Sequence, residues 1–452
     1  MQQGGMQMKG EMTVVFSLVF MLMISFSGAI LESASLQTLK NEKREDMSLA
    51  MDSVFAEYQK ELFEHYDIFT LDASYETGTL SEDAVGSRLN FYSGMRAEQE
   101  IIRMELLTDF KGQAFYEQAV RYGGSQYGAD VLEVALELKE LWKEKEETLR
   151  EDSEQETEAI FEKAEAVLPS EENALSEVIR LNRRSLAEKV LPEGQTLSAR
   201  NLSLSELPSH RTLKKGRGEF QEQVLGSDAV SDLLFEVYLE KHFGTAVSPG
   251  KDTALAYEME YLLNGAASDA ENLEAIVRKI LWIRFACNFA YLQTDAERKE
   301  KAALWAAGIS TLLLVPEGEE VVRQAILLAW AYGESVQDLR RLMAGGKVPF
   351  WKTSEDWQTG IMDLIRIGQA QTVQAGDGEG FSYMDYLRCL YLLEEKEKIR
   401  MRALDLIEQN LRGNEGTSFL CMDACINKME VQTKCHFRRG ISWCFRSYYE
   451  YM

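Results

Sequence analysis

The chain has 452 residues, a formal net charge of −25 and 45% hydrophobic residues, with only six prolines. That apolar content supports a packed core and argues against wholesale disorder. The acidic balance argues against sequence-independent nucleic-acid binding, which needs a Lys/Arg surplus to displace counterions.

Residues 1–11 form a short tail, and residues 12–31 contain no charged side chain and are dominated by Val, Leu, Phe, Met and Ile. As a helix this run spans roughly 30 Å, the thickness of a bilayer's hydrocarbon core. It predicts a single transmembrane helix in contact with membrane lipid. A secretory signal is the rival reading, with Ser27, Gly28 and Ala29 as its small residues, but the apolar core is long and the start carries only Lys9. Lys40, Lys43 and Arg44 follow the run. Counted alone they place the rest of the chain inside, although large domains translocate despite such counts.

Residues 32–66 keep helical spacing without Pro or Gly, with Leu36, Leu39, Met47, Ala50, Val54, Tyr58, Leu62 and Tyr66 mostly three or four apart. One continuous helix over 12–66 is expected. Turn residues occupy 67–86, and helical pattern resumes from 87 to 168, broken at Gly123 and Gly124. Its part from Ala129 onward reads as one arm of a helical hairpin or short coiled coil. Residues 32–168 are thus a helical stalk region.

Residues 169–218 hold Pro169, Pro192, Pro208 and many serines, and are read as a linker. They include the densest basic cluster, His210, Arg211, Lys214, Lys215 and Arg217, expected to be a solvated loop. Residues 219–452 are read as a C-terminal α+β domain. Residues 256–263 are expected to be a strand ended by Gly265, with Glu258 and Glu260 on a solvated face. Ser268 with Glu271 reads as a capping box opening a helix to 292. Further helices are expected over 296–314, 317–343, 354–371 and 383–411. Residues 428–437 and 441–451, richer in β-formers, are expected to pair with the earlier strand. The fold class is therefore mainly α with a small α+β C-terminal domain, and a transmembrane helix continuing into a long helical stalk.

Linear catalytic motifs are missing. HExxH, GxSxG, Walker A and GxGxxG do not occur, and there are four histidines in all. Cys421, Cys425, Cys435 and Cys444 are a candidate disulfide or thiol cluster, with plain buried thiols as the leading reading. A zinc site is disfavoured because short paired spacing occurs once, at Cys421 and Cys425. No cofactor and no metal are expected.

The N-terminal run Lys9-Gly10-Glu11-Met12-Thr13-Val14-Val15-Phe16, and its end at Leu31-Glu32-Ser33-Ala34, resemble an uncharacterised bacterial membrane family, domain of unknown function 5702, with a TadE/TadG-like N-terminus. Tyr66-Asp67-Ile68-Phe69-Thr70-Leu71-Asp72 resembles that family's turn after the first helix. Tyr257-Glu258-Met259-Glu260-Tyr261-Leu262-Leu263-Asn264-Gly265 with Asp269-Ala270-Glu271-Asn272-Leu273 resembles its central signature. Ala329 to Ser335, Gly345 to Pro349 and Tyr383 to Arg388 are similar to later ones. The resemblance implies a non-catalytic, membrane-anchored envelope protein with its bulk extracytoplasmic. It would be a pseudopilin-like or accessory component of a Tad/Flp-type pilus or secretion apparatus, with protein partners there. It also implies Gly10 and Glu11 as a candidate processing site, although pilin-like proteins usually carry Glu at the fifth mature position, and that position here is Val15. The alternatives are an extracytoplasmic sensor or binding module unrelated to pili, and an enzyme with no linear motif.

Overall fold

The computed structural model describes residues 4–95, 97–126, 185–218, 220, 229–313, 319–367, 378–414 and 416–451. The expected coiled-coil arm over 129–168 and the first part of the linker stretch lie outside them.

In chain order the elements are α1 (Gly4–Phe55), α2 (Lys60–Tyr66), β1 (Leu71–Asp72), α3 (Glu82–Ser93), β2 (Glu98–Leu106) and α4 (Asp109–Gln126). Then come α5 (Ala187–Val190), α6 (Ala229–His242), α7 (Glu258–Asn264), α8 (Asp269–Thr294), α9 (Ala296–Leu313) and α10 (Glu319–Met343). The chain closes with α11 (Tyr383–Leu393), α12 (Lys396–Arg412), β3 (Cys425–His436) and β4 (Ser442–Glu450). The mainly α architecture, the long apolar N-terminal helix and the small antiparallel sheet fed by the C-terminal segment agree with the sequence reading.

The long helix stops at Phe55, short of Tyr66. Here the Gln59 N–H donates to Thr70 O (2.8 Å), which draws the backbone away from helical pairing before α2 begins. Asp67, left-handed at φ 54°, then ends α2, and its N–H donates to Phe63 O.

β3 is the centre of the sheet. It pairs with β4 along one edge and with β2 along the other, all antiparallel, and β1 extends the β4 side at Ile426 and Cys425. The tail strands therefore form where expected, but their partner is β2, in a stretch read as helical. Ile101, Met104 and Leu106 of β2 are buried while Glu98 and Glu100 are exposed, and a register shift between Ile101 and Arg103 hides the alternation from a simple period-2 reading.

Residues 256–263 are not a strand. They enter α7, whose residues Glu258 to Leu263 are all buried, and Gly265 caps it at φ 77° with its N–H on Tyr261 O. The helix is preferred because both carboxylates find backbone donors: Gly244 N–H reaches Glu258 (2.8 Å) and Ala246 N–H reaches Glu260 (2.9 Å). Ser268 does cap α8, its hydroxyl accepting from Glu271 N–H. Among the described residues of the expected helix over 354–371, the helical part is a 3-10 segment, Ile361–Arg366. Upstream of it, Glu334 of α10 accepts the N–H groups of Gln358 and Thr359, so those donors serve a side chain and not a helical turn. The expected helix over 383–411 divides at Glu394 and Glu395 into α11 and α12.

Gly123 and Gly124 do not break α4. A Cβ on Gly123 would lie 2.6 Å from Leu234 O, so the glycine permits close packing of α4 on α6.

Two apolar cores result. One lies among α4, α6–α8 and α10–α12, with Phe115, Tyr238, Ile280, Leu339 and Leu404 among its buried residues. The other lies between α1, α3 and the sheet, with Met51, Phe55, Val85, Met104 and Val431. In the helical core, buried Arg284 of α8 bonds Asp338 of α10 and the carbonyls of Pro349 and Phe350. Lys352 pairs with Glu334 and Asp338, so these charges are mutually compensated.

Residues 185–218 lie packed against this body. Met104 and Arg217 exchange two backbone hydrogen bonds of 2.8 Å, closing the outer edge of β2. A Cβ on Gly216 would lie 2.1 Å from Met104 O and 2.4 Å from an Asp109 carboxylate oxygen. Gly216→Ala should therefore lift the strap from β2 and destabilise by roughly 1–3 kcal/mol, the usual range for overpacking. Denaturant melts of the two proteins check this, and an unchanged midpoint would contradict the contact.

Candidate functional site: the projecting helix and a crevice at Cys421

Helix α1 has two chemically different halves. Over residues 12–31 its apolar side chains are exposed; Phe16 is 67% accessible and Leu22 70%. Among the described residues this is the one helix long and apolar enough to cross a membrane, and it is not buried within the protein. Further along, Met47, Ala50, Met51, Val54 and Phe55 are fully or almost fully buried at helical spacing. Phe55 stacks on Tyr449 with ring centroids 4.3 Å apart, and the Tyr451 hydroxyl donates to Phe55 O. Between the halves, Lys40 and Arg44 stand over the Trp443 ring at 5.7 and 5.5 Å. Gly10 and Glu11 lie in the first turns of α1, on the N-terminal side of the apolar run.

The four tail cysteines are unbridged thiols. Cys435 stands opposite Trp443 on the buried face of the sheet, whereas Cys444 stands opposite Lys434 and is exposed. Neighbours one register step apart point to opposite faces, so this pair is not brought together. Cys421 and Cys425 are close: the Cys425 thiol donates to Cys421 O (3.3 Å). Burial pushes both thiols up, which keeps them protonated. His436, near them in sequence, is exposed at the end of β3.

Cys421 opens onto a crevice of about 340 Å³, lined also by Gly78, Thr79, Arg211, Lys214, Arg412 and Asp423. Glu408, Cys421 and Asp423 each offer a donor atom within 4.8 Å of the others, the spacing of a metal site. The surrounding chemistry does not fit a cation. Arg211 bonds both Glu408 (2.5 and 2.8 Å) and Asp423 (2.5 Å), and Arg412 bonds Glu408 (3.1 Å) and the Cys421 sulfur (2.8 Å). Two guanidinium groups already occupy the positions where a metal would draw its charge compensation.

Arg211 belongs to the basic cluster expected to be solvated. It is docked, and the segment around it is held by a series of carboxylates. Glu274 accepts from the N–H groups of Leu186 and Ala187, Asp269 from the Ser198 hydroxyl, and Asp405 from the N–H and hydroxyl of Ser209. Asp423 accepts from Lys214 N–H and Asp109 from Gly216 N–H. Sequence reasoning did not single out Glu408, Asp405 or Glu274, and placed Asp269 only within the central family signature. Their partners are backbone N–H groups, serine hydroxyls and Arg211, all from segments distant in the chain, and such pairings leave no local sequence signature.

The fold and site thus define a mostly helical protein with a small antiparallel sheet and one projecting helix apolar and long enough to span a bilayer. The chain belongs to a family of unknown function (DUF5702), whose family model matches residues 164–437. That match covers α5 to α12 and β3, and leaves α1 to α4, β1, β2 and β4 outside it. No curated protein and no solved structure matches the chain.

Two outcomes follow from the buried charges. Arg211→Gln leaves Asp423 without its guanidinium and Glu408 with Arg412 alone; a loss of about 3 kcal/mol is expected, the lower end for breaking a buried pair. Thermal or urea unfolding measures it, and a loss within experimental error would contradict the pairing.

The second outcome concerns pH. Burial pushes the carboxyls of Glu105, Glu258 and Glu260 up to about 7 and that of Glu236 to about 8. The unfolded chain loses these protons near pH ~4.3, so the native state binds more protons between there and neutrality. Their stabilising contribution is complete below that lower value and is lost as pH rises through 7 to 8. Melting temperature should therefore fall between about pH 5.5 and 8.5. Glu260→Gln keeps an acceptor for Ala246 N–H and should flatten the dependence. A rise in melting temperature over that window would contradict this account.

Proposed function

We propose that this protein is a non-catalytic component of the bacterial envelope, anchored by residues 12–31 and carrying its bulk outside the cytoplasm as a pseudopilin-like or accessory part of a Tad/Flp-type surface apparatus. One observation carries the reading. A single unbroken helix exposes an apolar surface at one end and forms the core of an antiparallel sheet at the other. In lipid every backbone polar group must be satisfied internally, which a continuous helix does. The body is then joined to the anchor rigidly, as an assembly subunit requires. The resemblance of residues 9–34 to TadE/TadG-like N-termini supports the same assignment.

The chemistry of the body supports a structural role. Two of its buried carboxyls with raised pKa values are engaged as loop anchors: Glu258 holds Gly244 and Asn410, and Glu260 holds Ala246 and Tyr383.

Full-length protein should float with membranes, and Phe20→Arg should weaken insertion by roughly 2.5–3.5 kcal/mol. On wall-stripped cells, a membrane-impermeant maleimide should label exposed Cys444 without lysis. Labelling only after lysis would reverse the topology and make the protein a cytoplasmic adaptor. Mass spectrometry of the N-terminus separates the pilin-like reading from a simple anchor: processing after Gly10 leaves Glu11 first, whereas an intact start favours an anchored protein outside the pilus class.

A further inference from the structure

The sheet has an end that faces the membrane side of α1. Phe55 of α1 meets Tyr449 and Tyr451 at the end of β4, while Lys40 and Arg44 meet Trp443 near its start. β4 therefore runs in the same direction as α1, and the β3–β4 turn points back toward the apolar half of the helix.

The distances place this turn close to the bilayer surface. Lys40 and Arg44 lie roughly 14–20 Å beyond Leu31 along the helix, at ~1.5 Å per residue. The turn precedes Trp443 by a few residues and so reaches back by roughly 7–10 Å, at ~3.3 Å per residue. That leaves it roughly 4–13 Å above the end of the apolar run. Headgroups occupy ~5–7 Å beyond the hydrocarbon of each leaflet, and an ordinary helix tilt of ~20° lowers one side of the body further.

The composition suits such a surface. Residues 431–449 contain Lys434, Arg438, Arg439 and Arg446 and no acidic residue, in a chain whose net charge is −25. Arg438 is exposed, as is the apolar Ile441 at 37%, and Phe437 stacks on Trp443. Of the nearby acids, Glu98 is held by Lys434 (2.9 Å), Glu430 by Arg103 (3.2 Å) and Arg446 (3.8 Å), and Asp46 by Lys43 (2.7 Å), while Glu100 lies exposed on β2 and Glu42 and Glu45 on α1. Exposed arginine beside Trp and Ile is the pairing that favours a membrane–water interface.

We propose that the β3–β4 turn, residues 437–441, is a second membrane contact that docks on anionic phospholipid headgroups and fixes the tilt of the body over the bilayer. This rests on the anchoring of α1 argued above. The helix sets where the protein is held; the turn sets which side of the body faces the lipid.

The test uses the full chain in vesicles of phosphatidylcholine, with and without one-quarter phosphatidylglycerol. A donor dye on Cys444, in a Cys421→Ser background, reports energy transfer to an acceptor on the lipid headgroups. Transfer should be higher in the anionic vesicles and drop to the neutral level in high salt, which screens surface charge. Each arginine removed should reduce docking about fivefold, the ratio set by ~1 kcal/mol per basic residue at an anionic surface. Arg438→Gln with Arg439→Gln should thus show the neutral level in both vesicles while still floating with them. Equal transfer in both compositions, or an unaffected double variant, overturns the inference and leaves the anchor standing. Self-quenching of the dye that grows with protein density overturns it in favour of a second copy at the turn. Failure of the unmodified chain to float with either vesicle removes the anchor itself.

Discussion

Met47, Met51, Val54 and Phe55 of α1 are buried against the sheet and α3, and that seam joins the apolar end of the helix to everything else in the molecule. The sheet side of the seam is supplied by β2 before the helical body and by β3 and β4 after it. The chain therefore has to complete its helical body before the socket for its own first helix is whole. Such long-range pairing carries a loop-closure cost that only the finished core repays. The aromatic stack of Phe55, Tyr449 and Tyr451 sits where the two ends of the chain meet.

A second physical theme is the use of carboxylates as internal fasteners. A net charge of −25 suggests an acid-coated surface, yet several of these groups lie inside. Asp269, Glu258, Glu260, Asp405 and Glu408 are nearly inaccessible. They hold loops and the 185–218 strap by accepting N–H donors or guanidinium groups. These bonds fix geometry where irregular backbone has no helical or sheet partner, and the Arg211–Glu408 pair adds the strength of charge assistance. The strap needs that help, because it crosses from the first turns of α8 to the edge of β2 with little regular structure of its own.

The pattern of what was legible follows from this chemistry. The apolar run, the Ser268 cap, the Gly265 stop and the tail strands are local signals, and each is where the sequence places it. β2 was missed because its alternation is interrupted by a register shift and its partner lies more than 300 residues away in the chain, as the pairing of Ile101 with Val431 makes plain. Residues 256–263 fit a short strand and a short helix equally well by pattern. Burial on all sides and backbone donors for Glu258 and Glu260 decided for the helix. Arg211 reads as solvated because the basic residues around it are surface-like, while the acids that capture it, Glu408 and Asp423, arrive from distant segments. The thiols at 435 and 444 looked like a cluster by spacing, and strand register separates them onto two faces.

On the proposed reading, α1 is one rigid element, lipid-facing over its first half and core-forming over its last turns. Spin labels placed one at a time along α1 in the vesicle-bound full chain test it most directly, by collision with oxygen and with a water-soluble nickel chelate. Positions 12–31 should be open to oxygen and closed to the chelate. Positions 32–46 should admit the chelate with a helical period, and 47, 50, 51 and 54 should exclude both. Chelate access within 12–31, or a loss of helical period between that run and Met47, would contradict a single rod linking bilayer and sheet.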